Sequence, residues 1–108
     1  MKLKLNYKGE NLLLSTYNLC HIEGHGDYEL FPSKPLALDL RVIAEKQKKY
    51  GWEIQGVDER IYMAKKGQVE VTLFPHGRVI IEQLIPDSDE AAMEIVKQML
   101  EAEETKEY

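Results

Sequence analysis

The strongest constraint on this chain is the spacing between Trp52 and Leu84. Four short segments rich in aliphatic and aromatic residues, Trp52–Val57, Arg60–Lys65, Gln68–Phe74 and Arg78–Leu84, are separated by "DE", "KG" and "PHG". Breaks of two or three residues leave room only for tight turns, so the pattern predicts an antiparallel meander of four strands. Side chains alternate between faces along a strand, so Val69, Val71 and Leu73 share one side with Val79 and Ile81. That side is the expected core. The same alternation sends Glu70, Thr72, Phe74, Arg78, Ile80, Glu82 and Leu84 to the other side, with Tyr62 beside them.

Helical periodicity brackets the meander. In "LDLRVIAEKQKKYG", Leu40, Ile43, Ala44 and Gln47 recur at helical spacing behind a capping Asp39. Lys46, Lys48 and Lys49 lie at the negative end of that helix's dipole, and Gly51 can take the left-handed conformation that stops it. After Pro86, Asp87 or Ser88 caps a second helix. Ala92, Ile95, Val96, Met99 and Leu100 form its apolar stripe. Upstream, "KLKLNYK" and "LLLSTYNLCHI" alternate as two strands around "GEN", which predicts an N-terminal hairpin over residues 1–22. Two glycines and two prolines between Glu23 and Pro35 read as a loop, with a short extended piece at Tyr28–Phe31. Residues 101–108, "EAEETKEY", have no stripe and read as an acidic tail. With 108 residues the chain suffices for one domain and one core.

The order helix, meander, helix over residues 36–100 resembles one repeat of the TATA-binding protein. The likeness rests on the helix start Leu38, Asp39, Leu40. It rests also on Thr72-Leu73-Phe74-Pro75-His76-Gly77-Arg78-Val79-Ile80, and on the alanine-containing, acid-capped helix from Asp87 to Leu100. The resemblance implies an open sheet face, with Phe74 at a wedge position and Ile80 at a groove-contacting one. Two departures count against TATA recognition. Glu82 stands where the family has a groove-facing threonine, and Val57 where it has a second wedge phenylalanine. A carboxylate facing phosphates is repelled and loses hydration. A single repeat would also need a second copy to complete a saddle.

Charge points the same way. Nineteen Asp and Glu against fourteen Lys and Arg give a net charge of −5, the wrong sign for a protein whose affinity would come from neutralising phosphates. Lys46, Lys48, Lys49, Lys65 and Lys66 read as ordinary solvated charges on a helix end and a turn. No apolar run reaches membrane-helix length, the N-terminus lacks the apolar stretch of a signal peptide, and the lone Cys20 fits a reducing cytoplasm. No nucleotide or phosphate-loop motif is present, so no cofactor is expected.

The remaining chemistry clusters in "CHIEGH". Cys20, His21 and His25 are ligand types a transition metal accepts. However, the paired two-residue spacing of a zinc module is missing, and adjacent Cys20 and His21 would point to opposite strand faces. A catalytic thiol would need a cation or a helix N-terminus beside it, and nothing in the sequence fixes one. The reading is therefore a non-enzymatic binding protein of α+β class. It has an antiparallel sheet with two helices on one face, is TATA-binding-protein-like, and is preceded by a β-hairpin. Self-association as a homodimer through the sheet follows, with Val57, Tyr62, Thr72, Phe74, Ile80 and Leu84 as the interaction surface. Nucleic-acid binding through Phe74 and Ile80, and a metal-dependent enzyme using Cys20, His21 and His25, are the alternatives.

Overall fold

A computed structural model of the chain describes residues 2–22 and 24–104. The N-terminal hairpin forms as its alternation requires. β1 (Lys2–Tyr7) pairs with β2 (Glu10–Ile22) in the register Tyr7↔Glu10. Its two-residue turn is Lys8–Gly9, both at positive φ (49° and 80°), which matches the twist of a tight hairpin. The Gly9 N–H donates to Asn6 Oδ1 at 3.1 Å.

The chain then departs from the expected loop, and the short extended piece expected at Tyr28–Phe31 lies inside a longer strand. β3 (His25–Pro32) is a full strand antiparallel to β2, with Gly26, Tyr28 and Leu30 buried between partly exposed neighbours. The glycines and prolines that suggested a loop instead mark its ends and its close packing. α1 (Leu40–Lys48) starts at Asp39, whose carboxylate accepts from the Arg41 and Val42 N–H groups at 3.2 and 3.3 Å. Its buried stripe is Leu40, Ile43, Ala44 and Gln47, as the periodicity predicts.

The meander follows as β4 (Glu53–Val57), β5 (Tyr62–Lys66), β6 (Val69–Leu73) and β7 (Val79–Leu84), each antiparallel to the next. Asp58 closes the first turn by accepting from the Arg60 and Ile61 N–H groups at 2.7 and 3.0 Å, and these donors hold its carboxyl below the usual range. α2 (Asp89–Leu100) is capped by Ser88, whose hydroxyl accepts from the Ala91 N–H at 3.1 Å. Ala92, Met93, Val96, Met99 and Leu100 are buried, so Met93 joins the stripe while Ile95 is only half-buried. A two-residue strand, β8 (Glu103–Glu104), returns to pair with β1, so residues expected in an acidic tail close the sheet edge; residues 105–108 of that tail lie outside the described residues.

The strands form one antiparallel sheet in the order β4-β5-β6-β7-β3-β2-β1-β8. The N-terminal hairpin therefore extends the sheet through β3. Both helices pack on the same face, α1 against β4 and β5, and α2 against β7, β3, β2 and β1. The core lies in this single interlayer. Val71, Leu73, Val79 and Ile81 are each at most 1% exposed, and burying side chains of this size contributes roughly 1.5–3 kcal/mol apiece. The class is thus α+β with an antiparallel sheet and two helices on one face. No helix among the described residues is long and apolar enough to cross a membrane.

Three residues expected on the outer face point inward instead. Tyr62, 1% exposed, pairs directly with the buried Leu73 and must share its side. Val57 pairs with Tyr62 and packs against the core; a register shift between Ile54 and Gly56 brings both Ile54 and Val57 to the helix side. Leu84 is 2% exposed because β7 bulges. Pairing moves from Tyr28↔Ile81 to Gly26↔Leu84, with Gln83 at φ 57°, so β7 spends one residue more than β3 and its alternation inverts. Asp27 Oδ1 accepts from the Gln83 N–H at 3.0 Å and anchors the bulge.

Candidate interaction surface on the open sheet face

The face away from the helices has no covering layer among the described residues. At its centre lies a cluster built by β3 and the β6–β7 turn. That turn closes through Phe74 N–H to Arg78 O and Gly77 N–H to Phe74 O, both 2.9 Å. The segment before α1 straps over it, with the Leu36 and Leu38 N–H groups donating to His76 O and Pro75 O at 2.9 and 3.0 Å. Gly77, at φ 109°, is needed here, because a Cβ would sit 2.7 Å from Pro32 Cγ.

So braced, Phe74 and Arg78 project from the face toward Glu29 and Phe31 of β3. The Arg78 guanidinium donates to Glu29 Oε2 at 2.6 Å. Its carbon lies 5.8 Å from the Phe31 ring centre and 5.5 Å from that of Phe74. Phe31 meets Tyr17 edge-on at 6.0 Å, and His76 stacks on Phe74 at 6.0 Å. The pair is partly buried, with the Arg78 side chain 37% and the Glu29 side chain 15% exposed, so lost hydration offsets much of the attraction. Its consequence is geometric. A planar cation is held at a fixed orientation between aromatic rings, the residue types that anchor protein interfaces. The Arg78 Nε is buried and finds no acceptor.

Around this cluster the face carries apolar and charged residues in adjacent rows. Met63, Thr72 and Ile80 align across β5, β6 and β7, and Ile80 lies opposite Glu29. Tyr17 and Met63 are 54% and 42% exposed. One strand-step away, Glu53, Lys65, Glu70 and Glu82 form a row, with Glu70 directly opposite Glu82. Like charges facing each other across strands are destabilising. At the other side of the sheet β1 presents Lys2 and Lys4, both exposed.

The edges contrast with the face. β4 carries exposed Glu53 and Gln55 and a bulge, and β8 is two residues long. These are features that discourage edge-to-edge pairing. On the helix side, an open cleft of about 310 Å³ lies among Tyr7, Leu38, Val42, Met99 and the Lys46–Glu101 ion pair at 3.2 Å.

Of the residues expected to form the surface, Thr72, Phe74 and Ile80 lie on the open face, whereas Val57, Tyr62 and Leu84 belong to the core. Sequence reasoning placed Arg78 and Glu29 nowhere in a site and overlooked Phe31, Tyr17 and Met63. The signal for Phe31 is its alternation with Leu30 and Tyr28 in the short extended piece, for whose outer side no partner could be read from the sequence. The metal and thiol candidates Cys20 and His21 have side chains outside the described residues. His25 is half-buried, with its Nδ1 buried and unpartnered. Among the described residues no group of three or more His, Cys, Asp or Glu side chains could hold a metal ion. Trp52 is buried beside the α1 end, where Lys66 Nζ lies 5.8 Å from its ring centre and donates to Tyr50 O at 2.8 Å. No family model, curated protein or solved structure matches this chain.

Proposed function

We propose that this chain is a non-enzymatic binding protein that works through the open face of its sheet, and that it assembles there as a homodimer. The observation carrying this reading is the uncovered face, where Phe31 and Phe74 flank the Arg78 guanidinium and Tyr17, Met63 and Ile80 stand on the same side of the sheet. Apolar side chains left on an uncovered sheet face are a cost to a monomer and a resource for an interface. The blunted edges favour the face over strand addition.

The resemblance to a TATA-binding-protein repeat belongs to this proposal. The helix, four-strand meander, helix order with both helices on one side supports it, as does the outward position of Phe74 and Ile80. Binding of a nucleic-acid strand is the weaker reading. Phe31, Phe74 and Arg78 are suited to stacking bases, but Glu29 occupies the guanidinium, and Glu70 and Glu82 would repel phosphates.

Sedimentation equilibrium from low to high micromolar concentration tests the proposal. The expected result is a dimer that Phe74→Glu converts to a folded monomer. A wild-type monomer at high micromolar concentration would remove it. Salt-sensitive binding of single-stranded nucleic acid, lost on Phe74→Ala, would instead favour the second reading.

A further inference from the structure

From the cleft on the helix side of the molecule, we infer that this chain binds a small organic carboxylate with an apolar body, of the medium-chain fatty-acid type. The site is separate from the open sheet face and does not rest on the reading of that face.

Three parts of the chain build the cleft. Leu38, Val42 and Ile43 come from the start of α1 and the residue before its cap, Met99 and Leu100 from the last turn of α2, and Tyr7 from the end of β1. Ile43, Met99 and Leu100 are buried, whereas Val42, an aliphatic residue, is 48% exposed. Apolar surface in a concavity gains free energy when an apolar occupant removes it from water. The volume, about 310 Å³, stands at the lower end of the roughly 300–1,000 Å³ of small-ligand sites. It suits a short chain better than a large cofactor.

Four charged residues, Lys8, Asp39, Lys46 and Glu101, also line the cleft, and their partners decide the sign of the ligand. Asp39 Oδ1 is engaged in capping α1, accepting from the Arg41 and Val42 N–H groups. Glu101 Oε2 accepts from Lys46 Nζ at 3.2 Å. Lys8 is different. Its Nζ lies 5.4 Å from the Tyr7 ring centre, and among the described residues it meets no carboxylate. An aromatic face steadies an ammonium group without neutralising its charge. The tight turn through Lys8 and Gly9 fixes the backbone that carries it. A carboxylate placed at Lys8 supplies the missing countercharge while its chain covers Val42 and Leu38. A cationic amphiphile meets a like charge at Lys8 and finds both carboxylates already engaged. A wholly polar anion leaves the apolar walls wet. An apolar carboxylate satisfies both features at once.

Titration of octanoate, below its micelle concentration, into the full chain tests this through the backbone amide signals in NMR. Saturable shifts are expected at Tyr7, Lys8, Val42 and Met99. Octylammonium is expected to bind about tenfold more weakly, since it exchanges an attraction for a repulsion. Lys8→Asn keeps a residue type that tolerates positive φ; it should weaken octanoate about fivefold and erase the preference over octylammonium. Val42→Glu, at an exposed position, should abolish octanoate binding, with circular dichroism showing that both variants are folded. No saturable shift would overturn the inference. So would equal affinity for the two amphiphiles, an unchanged preference in Lys8→Asn, or shifts at Phe31, Phe74 and Ile80 in place of the cleft residues.

Discussion

Gly26→Ala is expected to be among the most damaging single-methyl changes in the molecule. Gly26 lies on the inner side of β3, where it meets the turn before α2. A Cβ built there collides with Asp87 Oδ1 and comes within 2.8 Å of Asp87 Cγ and 3.1 Å of Tyr28 Cε1. The carboxylate cannot simply swing aside, because the Tyr28 hydroxyl donates to the same oxygen at 2.5 Å. Displacing it forfeits a charged hydrogen bond worth about 1.5–3 kcal/mol, and the remaining overpacking adds about 1–3 kcal/mol. A total of about 2.5–6 kcal/mol lowers the melting temperature of a domain this size by about 10–24 °C. Urea or thermal unfolding followed by circular dichroism measures it directly. The decisive control is the Asp87→Ala background. With the carboxylate gone, the added methyl should cost less than about 1 kcal/mol, leaving a large coupling energy between the two sites. Equal cost in both backgrounds, or a Gly26→Ala protein as stable as the wild type, would refute the claim that these groups share one space.

Two further outcomes follow from the core. Burial, then the hydrogen bond to Asp87, pushes the Tyr28 hydroxyl up to about 12, and burial alone does the same for Tyr62. Both groups hold their protons more tightly folded than unfolded. Their contribution is therefore complete below the ordinary tyrosine value near pH 10 and is lost as pH rises toward 12. Urea unfolding at stepped pH should show that alkaline loss, and Tyr62→Phe should make it shallower; an unchanged profile would contradict the assignment. Leu84→Ala should cost about 2–5 kcal/mol and Ile80→Ala distinctly less, although simple alternation puts both on the same side. Equal losses in chemical denaturation would mean that β7 carries no bulge.

The open face and the covered face differ in what stabilises them. Inside, the sheet and helices bury a continuous aliphatic layer from Leu5 and Leu14 through Leu30, Val79 and Leu73 to Tyr62. Outside, stability comes from pairing and local stacking, so the outer residues are freer to serve a partner. Arg78 illustrates the division. Its carbonyl closes the β6–β7 turn, and its side chain organises the aromatic centre of the outer face.

Local signals decided the elements. Turn spacing defined the meander, Asp39 and one of Asp87 and Ser88 could cap only what followed them, and periodicity gave the α1 stripe and, apart from Met93 in place of Ile95, that of α2. Alternation placed Val71, Leu73, Val79 and Ile81 inside and Thr72, Phe74 and Ile80 outside, because within an unbroken strand parity is a local property. Three things were settled only by tertiary structure. Pairing with β2 and β7 on its two sides made β3 a strand despite its glycines and prolines. The bulges at Ile54–Gly56 and Gln83 inverted parity, since the extra residue is visible only against a partner strand. Insertion of β3 beside β7 brought Glu29 and Phe31 to Arg78 and Phe74, from positions more than forty residues apart. A one-dimensional pattern records the period of each strand but not the neighbour it meets, and the surface that matters here is made by neighbours.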